Sequence, residues 1–230
     1  MKKKCVVSII SNVIIITLLG VLFCVTHINS GNYSDALAPI YRGDPEKKQV
    51  GIMINVYEGS EYVAEILKIL DKYSVSCTFF VGGIWAQKNN ALLKEMSYRA
   101  EIGNHGYLHL NHSKLSEEKN YEEIMLCHNL VKAVTSIEMN LFAPPSGDYG
   151  KETLKVCQDN NYKVIMWSKD TIDWRDKNPD TVTARATTDI QNGDLILMHP
   201  TKHTVSALPT IIEFYLDNGF NIVTVSEILK

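Results

Sequence analysis

The feature that most constrains the fold is an alternation of short apolar segments with amphipathic ones, from about residue 49 onward. The first apolar segment, VGIMINV, is strand-like, and the next one, SEYVAEILKILDKYS, repeats apolar residues at helical spacing. Further strand-like segments are CTFFVGG, AEIGN, LFAPP, YKVIMW, DLILM and FNIVTV. This alternation predicts parallel strands with helices packed outside them. We therefore expect one α/β domain, residues 48–230, built as a distorted, nearly closed barrel of about seven strand–helix units.

The strand segments are almost continuously apolar, which is typical of strands that are buried on both faces. No change of composition inside the domain marks a second boundary. We expect these side chains in the core: Ile52, Ile54, Phe79, Phe80, Ile165 and Leu197.

The N-terminus has a different character. After MKKK, the residues from Cys5 to Val25 carry no charge, and about 20 apolar residues span a bilayer. We predict a membrane-spanning helix within residues 1–25, with the lysines in the cytoplasm and the domain outside it. The alternative is a cleaved signal and secretion, although Ala36-Leu37-Ala38, which resembles a cleavage site, lies far beyond the apolar segment. Residues 26–47 are polar and are predicted to be a linker.

The composition also excludes some functions. The net charge of -3 offers no basic patch for a nucleic acid, and the sequence has no P-loop, dinucleotide fingerprint or zinc-finger cysteine pattern. Three cysteines of the domain, Cys77, Cys127 and Cys157, are widely spaced. We interpret them as buried thiols that pack as small apolar groups.

Residues capable of chemistry follow five of the predicted strands. In parallel β/α architectures, the carboxyl ends of the strands form the active-site face, so these side chains should meet at one rim. They are Glu58 and Glu61, His105 and His109, Asp148, Asp170 and Asp173, and His199.

This set suggests metal-assisted hydrolysis. His105 and His109, four residues apart, form a common ligand pair, and a carboxylate from another strand would leave open positions for water and substrate. Such a metal makes its bound water acidic enough to attack a carbonyl near neutral pH. His199 is suited to protonating a leaving group. Each residue alone also has an ordinary explanation: a solvated histidine pair, a loop acid or a core histidine.

The motifs resemble those of the polysaccharide deacetylases with a NodB homology domain, carbohydrate esterase family 4 (CE4). NVYEG stands where this family has T-F-D-D-G, and HGYLH matches H-[ST]-x-x-H with glycine at the hydroxyl position. FAPPSG stands for F-R-P-P-Y-G, DTIDW matches D-x-x-D-W, and LILMH matches the last motif. The resemblance covers about residues 48–230, and the motifs keep the family's order.

The resemblance implies a (β/α)7 barrel, a divalent metal that is usually zinc, and removal of N-acetyl groups from N-acetylglucosamine-type sugars of peptidoglycan or chitin. Carried over by position, the metal ligands are Glu58, His105 and His109, with Glu61 as the alternative acid. The expected catalytic groups are His199, Asp170 and Glu61. The expected substrate contacts are Tyr57, Pro144, Pro145, Asp173 and Trp174.

Two residues depart from the family's motifs at positions that matter for the mechanism. The family's general base is the first Asp of T-F-D-D-G; Tyr57 stands there, and a phenol, which titrates near pH 10 in water, is a poor base at neutral pH. The Arg that normally pairs with that Asp is replaced by Ala143. Because both partners are missing together, two hypotheses remain open: a deacetylase in which Glu58, Glu61 or Asp170 serves as base, and a membrane-anchored glycan-binding protein with an impaired site.

Overall fold

The structure is a computed structural model that describes Thr17 and residues 38–230. Apart from Thr17, the predicted membrane helix lies outside the described residues, as does most of the predicted linker. In the part of the chain that is described, no helix combines the length and the apolarity needed to cross a membrane.

One compact unit runs from Ala38 to Lys230. Its strands are β1 (Gln49–Val56), β2 (Thr78–Val81), β3 (Glu101–Asn104), β4 (Leu141–Phe142), β5 (Lys163–Val164), β6 (Lys169–Asp170), β7 (Leu195–Met198) and β8 (Asn221–Val223). Its α-helices are α1 (Ser60–Tyr73), α2 (Gly83–Lys88), α3 (Asn90–Ser97), α4 (Glu117–Thr135), α5 (Lys151–Asp159), α6 (Asp173–Asp176), α7 (Pro179–Thr187), α8 (Lys202–Asp217) and α9 (Val225–Ile228). Two 3-10 turns cover His112–Lys114 and Pro145–Gly147.

The strands form one parallel sheet in the order β5-β4-β3-β2-β1-β7-β6, and β8 pairs with β1. The predicted α/β architecture with parallel strands is confirmed. The predicted near-closure of the barrel is not confirmed. The strand order ends at β5 on one side and at β6 on the other, so the sheet forms a half-barrel. Lys169 and Asp170, which the pattern left outside any strand, form β6 against β7.

Alternate residues of β1 point into two different cores, as the two-residue period of a strand requires. Ile52 and Ile54 join the layer between the sheet and the helices. Met53 joins a smaller cluster with Phe80 and Leu197 inside the half-barrel. All six predicted core residues are buried.

Residues 38–43, here called the strap, pack onto the sheet, although their polar composition predicted a linker up to residue 47. Ile40 accepts from Met166 N at 2.7 Å and donates to Val164 O at 2.8 Å. Arg42 forms a bridge with Asp194, just before β7, and its guanidinium pairs with the buried Asp194 carboxylate at 2.8 Å. The strap thus connects the chain after β5 with the start of β7. Side-chain polarity did not reveal it because the contacts of Ile40 are made by its main-chain groups.

The three cysteines are free and buried, as predicted. Burial raises the pKa of Cys127 and of Cys157 to about 12 and raises that of Cys77 further. These thiols are therefore protonated at neutral pH, and they pack as apolar groups.

Candidate functional site

A cavity of about 750 Å³ opens at the carboxyl ends of the strands. Most of the predicted site residues line it: Tyr57, Glu58, Glu61, His105, His109, Asp170, Trp174 and His199. The rule that places sites at strand ends thus located this cavity correctly.

His105 directly follows β3 and is almost completely buried. Its Nδ1 lies 2.7 Å from the Ala143 carbonyl, which can only accept, so Nδ1 carries the proton and Nε2 keeps a free lone pair. Burial, with a smaller contribution from His109, lowers the pKa of His105 to about 3. The imidazole is therefore neutral throughout the physiological range, the form that binds metal ions.

His109 lies beside it, with the two ring centroids 5.1 Å apart and the rings nearly perpendicular. Its backbone adopts a left-handed φ of 58°, which is uncommon for a residue with a Cβ and recurs at functional sites. Partial burial lowers the pKa of His109, while the nearby Glu58 charge opposes this effect. The Tyr57 ring covers His109, with centroids 4.5 Å apart.

The loop that carries both histidines is held from below by two buried polar residues. Asn104 donates to Ile124 O and accepts from Gly106 N at 2.9 Å. The Glu123 carboxylate accepts from Tyr107 N at 3.0 Å and from Leu108 N at 2.8 Å. The sequence analysis assigned no role to either residue, because the pattern does not show which side chains lie beneath the loop.

The third predicted metal ligand does not join the histidine pair. Across residues 38–230, no three His, Cys, Asp or Glu side chains come close enough together to hold a metal ion. Glu58 and Glu61 face the cavity, but neither completes a chelating group with His105 and His109. The donor set is thus two neutral imidazoles, which is one ligand short of the three-residue sets found in catalytic zinc sites.

The position at which the motifs predict a general base has no carboxylate either. Tyr57 occupies it and is 36% exposed at the rim. Ala143 is fully buried in the cluster inside the half-barrel, and only its carbonyl serves the site, through His105. The described side chains around His105 therefore lack both the acid and the cation expected from the motifs.

On the opposite flank, both oxygens of the Asp173 carboxylate have hydrogen-bond partners. Asp173 is fully buried and accepts from His199 Nδ1 at 2.8 Å and from His199 N at 2.6 Å. Thr204 Oγ1, on α8, donates to the same carboxylate. With its Nδ1 proton held by Asp173, His199 keeps Nε2 for a group in the cavity, an arrangement suited to general acid–base chemistry.

Three predicted substrate contacts need correction. Asp173 does not line the cavity, because its oxygens are used below the surface by His199 and Thr204. Pro144 and Pro145 are buried as well, and the exposed residue of that loop, Ser146, lines the cavity instead. Ser146 reaches this place through a left-handed backbone, φ 56°.

The remaining predicted residues lie on the rim. Trp174 is 58% exposed. Asp170 lines the cavity, while its Oδ1 accepts from Ile172 N at 2.8 Å. Glu61 lies in the first turn of α1.

One lining residue that the sequence analysis missed is Asn55. It lies on β1 and is 5% exposed, and its Oδ1 has no hydrogen-bond partner among the described residues. A buried polar atom without a partner costs about 1–3 kcal/mol. The signal that could have found it is an amide in the otherwise apolar strand GIMINV.

Comparisons with known proteins agree with this geometry. The model of a family described as polysaccharide deacetylase matches residues 42–165. A peptidoglycan-N-acetylglucosamine deacetylase of Bacillus cereus is 30% identical over 176 residues, which cover 74% of this chain and 82% of that protein. The uncharacterized protein YlxY of Bacillus subtilis is 36% identical over 192 residues, 83% of this chain, but the match spans only 60% of the length of YlxY.

Among solved structures, a crystal structure described as a CE4 family pseudoenzyme from Bacillus anthracis matches with a TM-score of 0.82 and 39% identity. The match covers 84% of this chain and 69% of that one. A mutant of this pseudoenzyme, described as having restored enzymatic activity, matches with the same TM-score and 38% identity, over 84% of this chain and 71% of that one.

Proposed function

Because the chain belongs to the polysaccharide deacetylase family, we propose that its cavity binds an N-acetylglucosamine-type glycan of peptidoglycan or a chitin-like polymer, and that its hydrolytic activity is impaired. The observation that carries the proposal is the absence of a carboxylate partner for His105 and His109 among the described residues. A cavity of about 750 Å³ with Trp174 exposed at its rim is suited to sugar binding.

The chemistry of the His105 flank explains the impairment. A hydrolase of this kind needs a group that removes a proton from water near neutral pH, and general base catalysis contributes about 10²–10⁴-fold. Tyr57 is a phenol stacked on His109, and Ala143 offers no charge. The Bacillus anthracis relative described as a pseudoenzyme supports the proposal, and its mutant with restored activity supports the view that such a site is repairable.

Metal binding stays a prediction. A divalent ion such as zinc would be held here by the Nε2 of His105 and by His109, and when bound it would supply Lewis-acid chemistry. Glycan binding as proposed does not depend on it. Metal analysis of the wild type and of the His105→Ala/His109→Ala variant tests the prediction, and equal metal content in the two would contradict it.

The second candidate function is a metal-dependent deacetylase that removes N-acetyl groups. It is favoured by the other flank, where Asp173 holds His199 through two hydrogen bonds and is itself held by a third hydrogen bond from Thr204. In this case His199 is the acid, and Glu58, Glu61 or Asp170 takes the proton from water.

The proposed location follows from the sequence alone. The uncharged segment from Cys5 to Val25 after three lysines supports a single membrane anchor, with the domain on the outer face of the cell membrane, where peptidoglycan lies. Secretion after cleavage is the alternative. Protease accessibility of the domain on intact cells, followed by N-terminal sequencing, distinguishes the two.

One experiment separates the candidate functions. The full chain, supplied with zinc, is titrated with N-acetylglucosamine tetramer and is then assayed for acetate release between pH 5 and 9. We expect binding in the micromolar to millimolar range and acetate release at least 100-fold slower than that of the Bacillus cereus deacetylase. Trp174→Ala should weaken binding several-fold, because stacking on the indole is lost. Acetate release at the rate of that enzyme would establish the second candidate, and no binding would overturn the proposal.

A further inference from the structure

A line of hydrogen bonds leads from residues 104–109, here called the histidine loop, toward the protein surface. The Gly106 N–H donates to Asn104 Oδ1 at 2.9 Å. The Asn104 Nδ2 donates to the Ile124 carbonyl at 2.8 Å and to the Tyr162 hydroxyl at 3.2 Å. Because Asn104 is fully buried and both ends of its amide are used, the amide has one orientation, in which Tyr162 Oη is an acceptor.

The line continues from Tyr162 to His128, on α4. Tyr162 is buried, and burial raises the pKa of its phenol, so the hydroxyl keeps its proton at neutral pH and has it to donate. The acceptor is His128 Nδ1, 2.6 Å away, because the Asn104 amide group can only donate to this hydroxyl. The ring proton of His128 is then on Nε2, which donates to the Glu138 carboxylate at 2.9 Å.

Glu138 forms the surface end of the line. Its side chain is 61% exposed, and hydrogen bonds from Lys132 and from His128 lower its pKa, so it is a charged acceptor. All four hydrogen bonds from Gly106 to Glu138 thus run in one direction, each with its donor on the side of the histidine loop. Hydrogen bonds aligned in this way polarise and strengthen one another.

We infer that Tyr162 and His128 are positioning residues, which act through Asn104 on the histidine loop and so on the wall of the cavity. Neither of them lines the cavity itself. The turn that they support is at Gly106, whose backbone is left-handed with a φ of 70°, and it separates the two histidines of the site. The consequence for ligand binding rests on the proposed function, whereas the positioning of the loop is testable without a ligand.

The same line makes the histidine loop sensitive to the charge of His128. A proton added at Nδ1 turns this atom from an acceptor into a donor, so the buried hydroxyl proton of Tyr162 loses its acceptor, which is costly. The other charged and titratable groups around this pair are Glu138 and Lys132 at the surface and the thiols of Cys127 and Cys157 beside Tyr162. Both thiols stay protonated at neutral pH, whereas an imidazole ordinarily changes its charge between pH 5 and 8.

The test observes the Gly106 amide by NMR spectroscopy of the full chain, labelled with ¹⁵N-glycine and held in detergent micelles. Tyr162→Phe keeps the ring but removes the hydroxyl, so the Gly106 N–H should exchange with solvent faster by about tenfold or more. The matched control is Tyr215→Phe, which removes another buried hydroxyl, on α8, that donates to Ala186 O at 2.6 Å. This control should leave the exchange of Gly106 within about twofold of the wild type.

A titration between about pH 5 and 8 gives the second readout. In the wild type, the Gly106 amide signal should shift with the same midpoint as the ring signal of His128. His128→Asn places Oδ1 near the position of the ring Nδ1, so it still accepts from Tyr162 but carries no charge. The loop should therefore stay ordered in this variant, while the shared component of the shift disappears. A component from His109, three residues after Gly106, is present in both proteins and does not mimic this change.

Calorimetry with N-acetylglucosamine tetramer connects the loop to the ligand. Tyr162→Phe should bind the tetramer several-fold more weakly than the wild type, because one wall of the cavity is loosened, and Tyr215→Phe should bind it as the wild type does. Unchanged affinity in Tyr162→Phe, when the wild type binds, would overturn the step from the loop to the cavity.

The other outcomes are distinct. Equal exchange of Gly106 in Tyr162→Phe and Tyr215→Phe overturns the inference. An unchanged pH response in His128→Asn does so too, and this variant carries the test if Tyr162→Phe does not fold. If the wild type binds no tetramer while both NMR results are as expected, the proposed function fails and the positioning of the loop stands.

Discussion

The two flanks of the cavity differ in how completely their polar groups are paired. On the flank of β7, the Asp173 carboxylate accepts hydrogen bonds from His199 and from Thr204. On the flank of β3, His105 is oriented by a main-chain carbonyl alone. His109 stacks on an aromatic ring there, and no described carboxylate completes the pair.

This difference teaches that the orientation of a histidine and its reactivity are separable. His105 is held by burial and by the Ala143 carbonyl, a main-chain group that any side chain at position 143 would leave in place. The two positions where the motifs led us to expect an acid and its cation carry Tyr57 and Ala143. A buried guanidinium without its carboxylate would be strongly destabilising, so we expect these two positions to depend on each other.

The largest expected effect comes from rebuilding the weaker flank. Tyr57→Asp together with Ala143→Arg should raise zinc-dependent acetate release by about 10²–10⁴-fold, the usual contribution of a general base. Ala143→Arg alone should destabilise the fold by about 3–5 kcal/mol, because its charge would enter the inner apolar cluster unpaired. Acetate release from N-acetylglucosamine tetramer measures the gain.

The control for this rebuilding is the same pair of substitutions in a His199→Ala background, where the gain should disappear. A folded double variant that releases no more acetate than the wild type would show that the two flanks differ in more than these two residues.

The second prediction tests the complete flank. Asp173→Ala removes the fully buried acceptor of three hydrogen bonds and should lower the free energy of unfolding by about 3–5 kcal/mol, because each donor left without a partner costs about 1–3 kcal/mol. The matched control is Asp170→Ala, on the cavity rim, which removes one acceptor, from Ile172 N, and should cost about 1 kcal/mol. Urea denaturation measures both. Similar losses of unfolding free energy for the two variants would contradict this prediction, because they would show that Asp173 stabilises the fold no more than an acid on the rim.

The third and smallest effect is a pH dependence on the His105 flank. The pKa of His105 is lowered to about 3 in the fold but is near 6.5 in the unfolded chain, so between these values only the unfolded chain binds the proton. Stability is therefore lost as the pH falls below about 6.5, by up to about 1.4 kcal/mol per pH unit. His105→Gln, measured beside the wild type in the presence of a chelator between pH 4 and 7, should show a slope that is smaller by about one proton. An unchanged slope would argue against a buried neutral His105.

Much of the fold was predictable because it depends on periodicity. The apolar strands, the helices outside and the predicted core, such as Phe79 and Ile165, follow from the pattern. The strand-end rule brought the reactive residues to one cavity. The sequence analysis failed at single loops, where one backbone angle decides whether a side chain faces the cavity or lies beneath it.

Ile172 illustrates this limit. It is a β-branched residue with a left-handed φ of 49°, which no propensity predicts, and the chain next to it places Asp173 underneath His199. The unpaired Asn55 was missed for a different reason. A single sequence reveals an amide in an apolar strand, but only coordinates reveal that its Oδ1 has no hydrogen-bond partner in the part of the chain that the structure describes.

The strap has a practical consequence for anyone trimming this chain. The family match begins at residue 42, so a fragment cut there would keep Arg42 and its Asp194 partner but lose Ile40 and both of its main-chain hydrogen bonds. The open side of the half-barrel after β5 would then have an uncovered edge, and unpaired strand edges promote aggregation. A fragment that starts at or before Ala38 keeps this edge covered, so the choice of first residue decides whether a shortened version stays monodisperse.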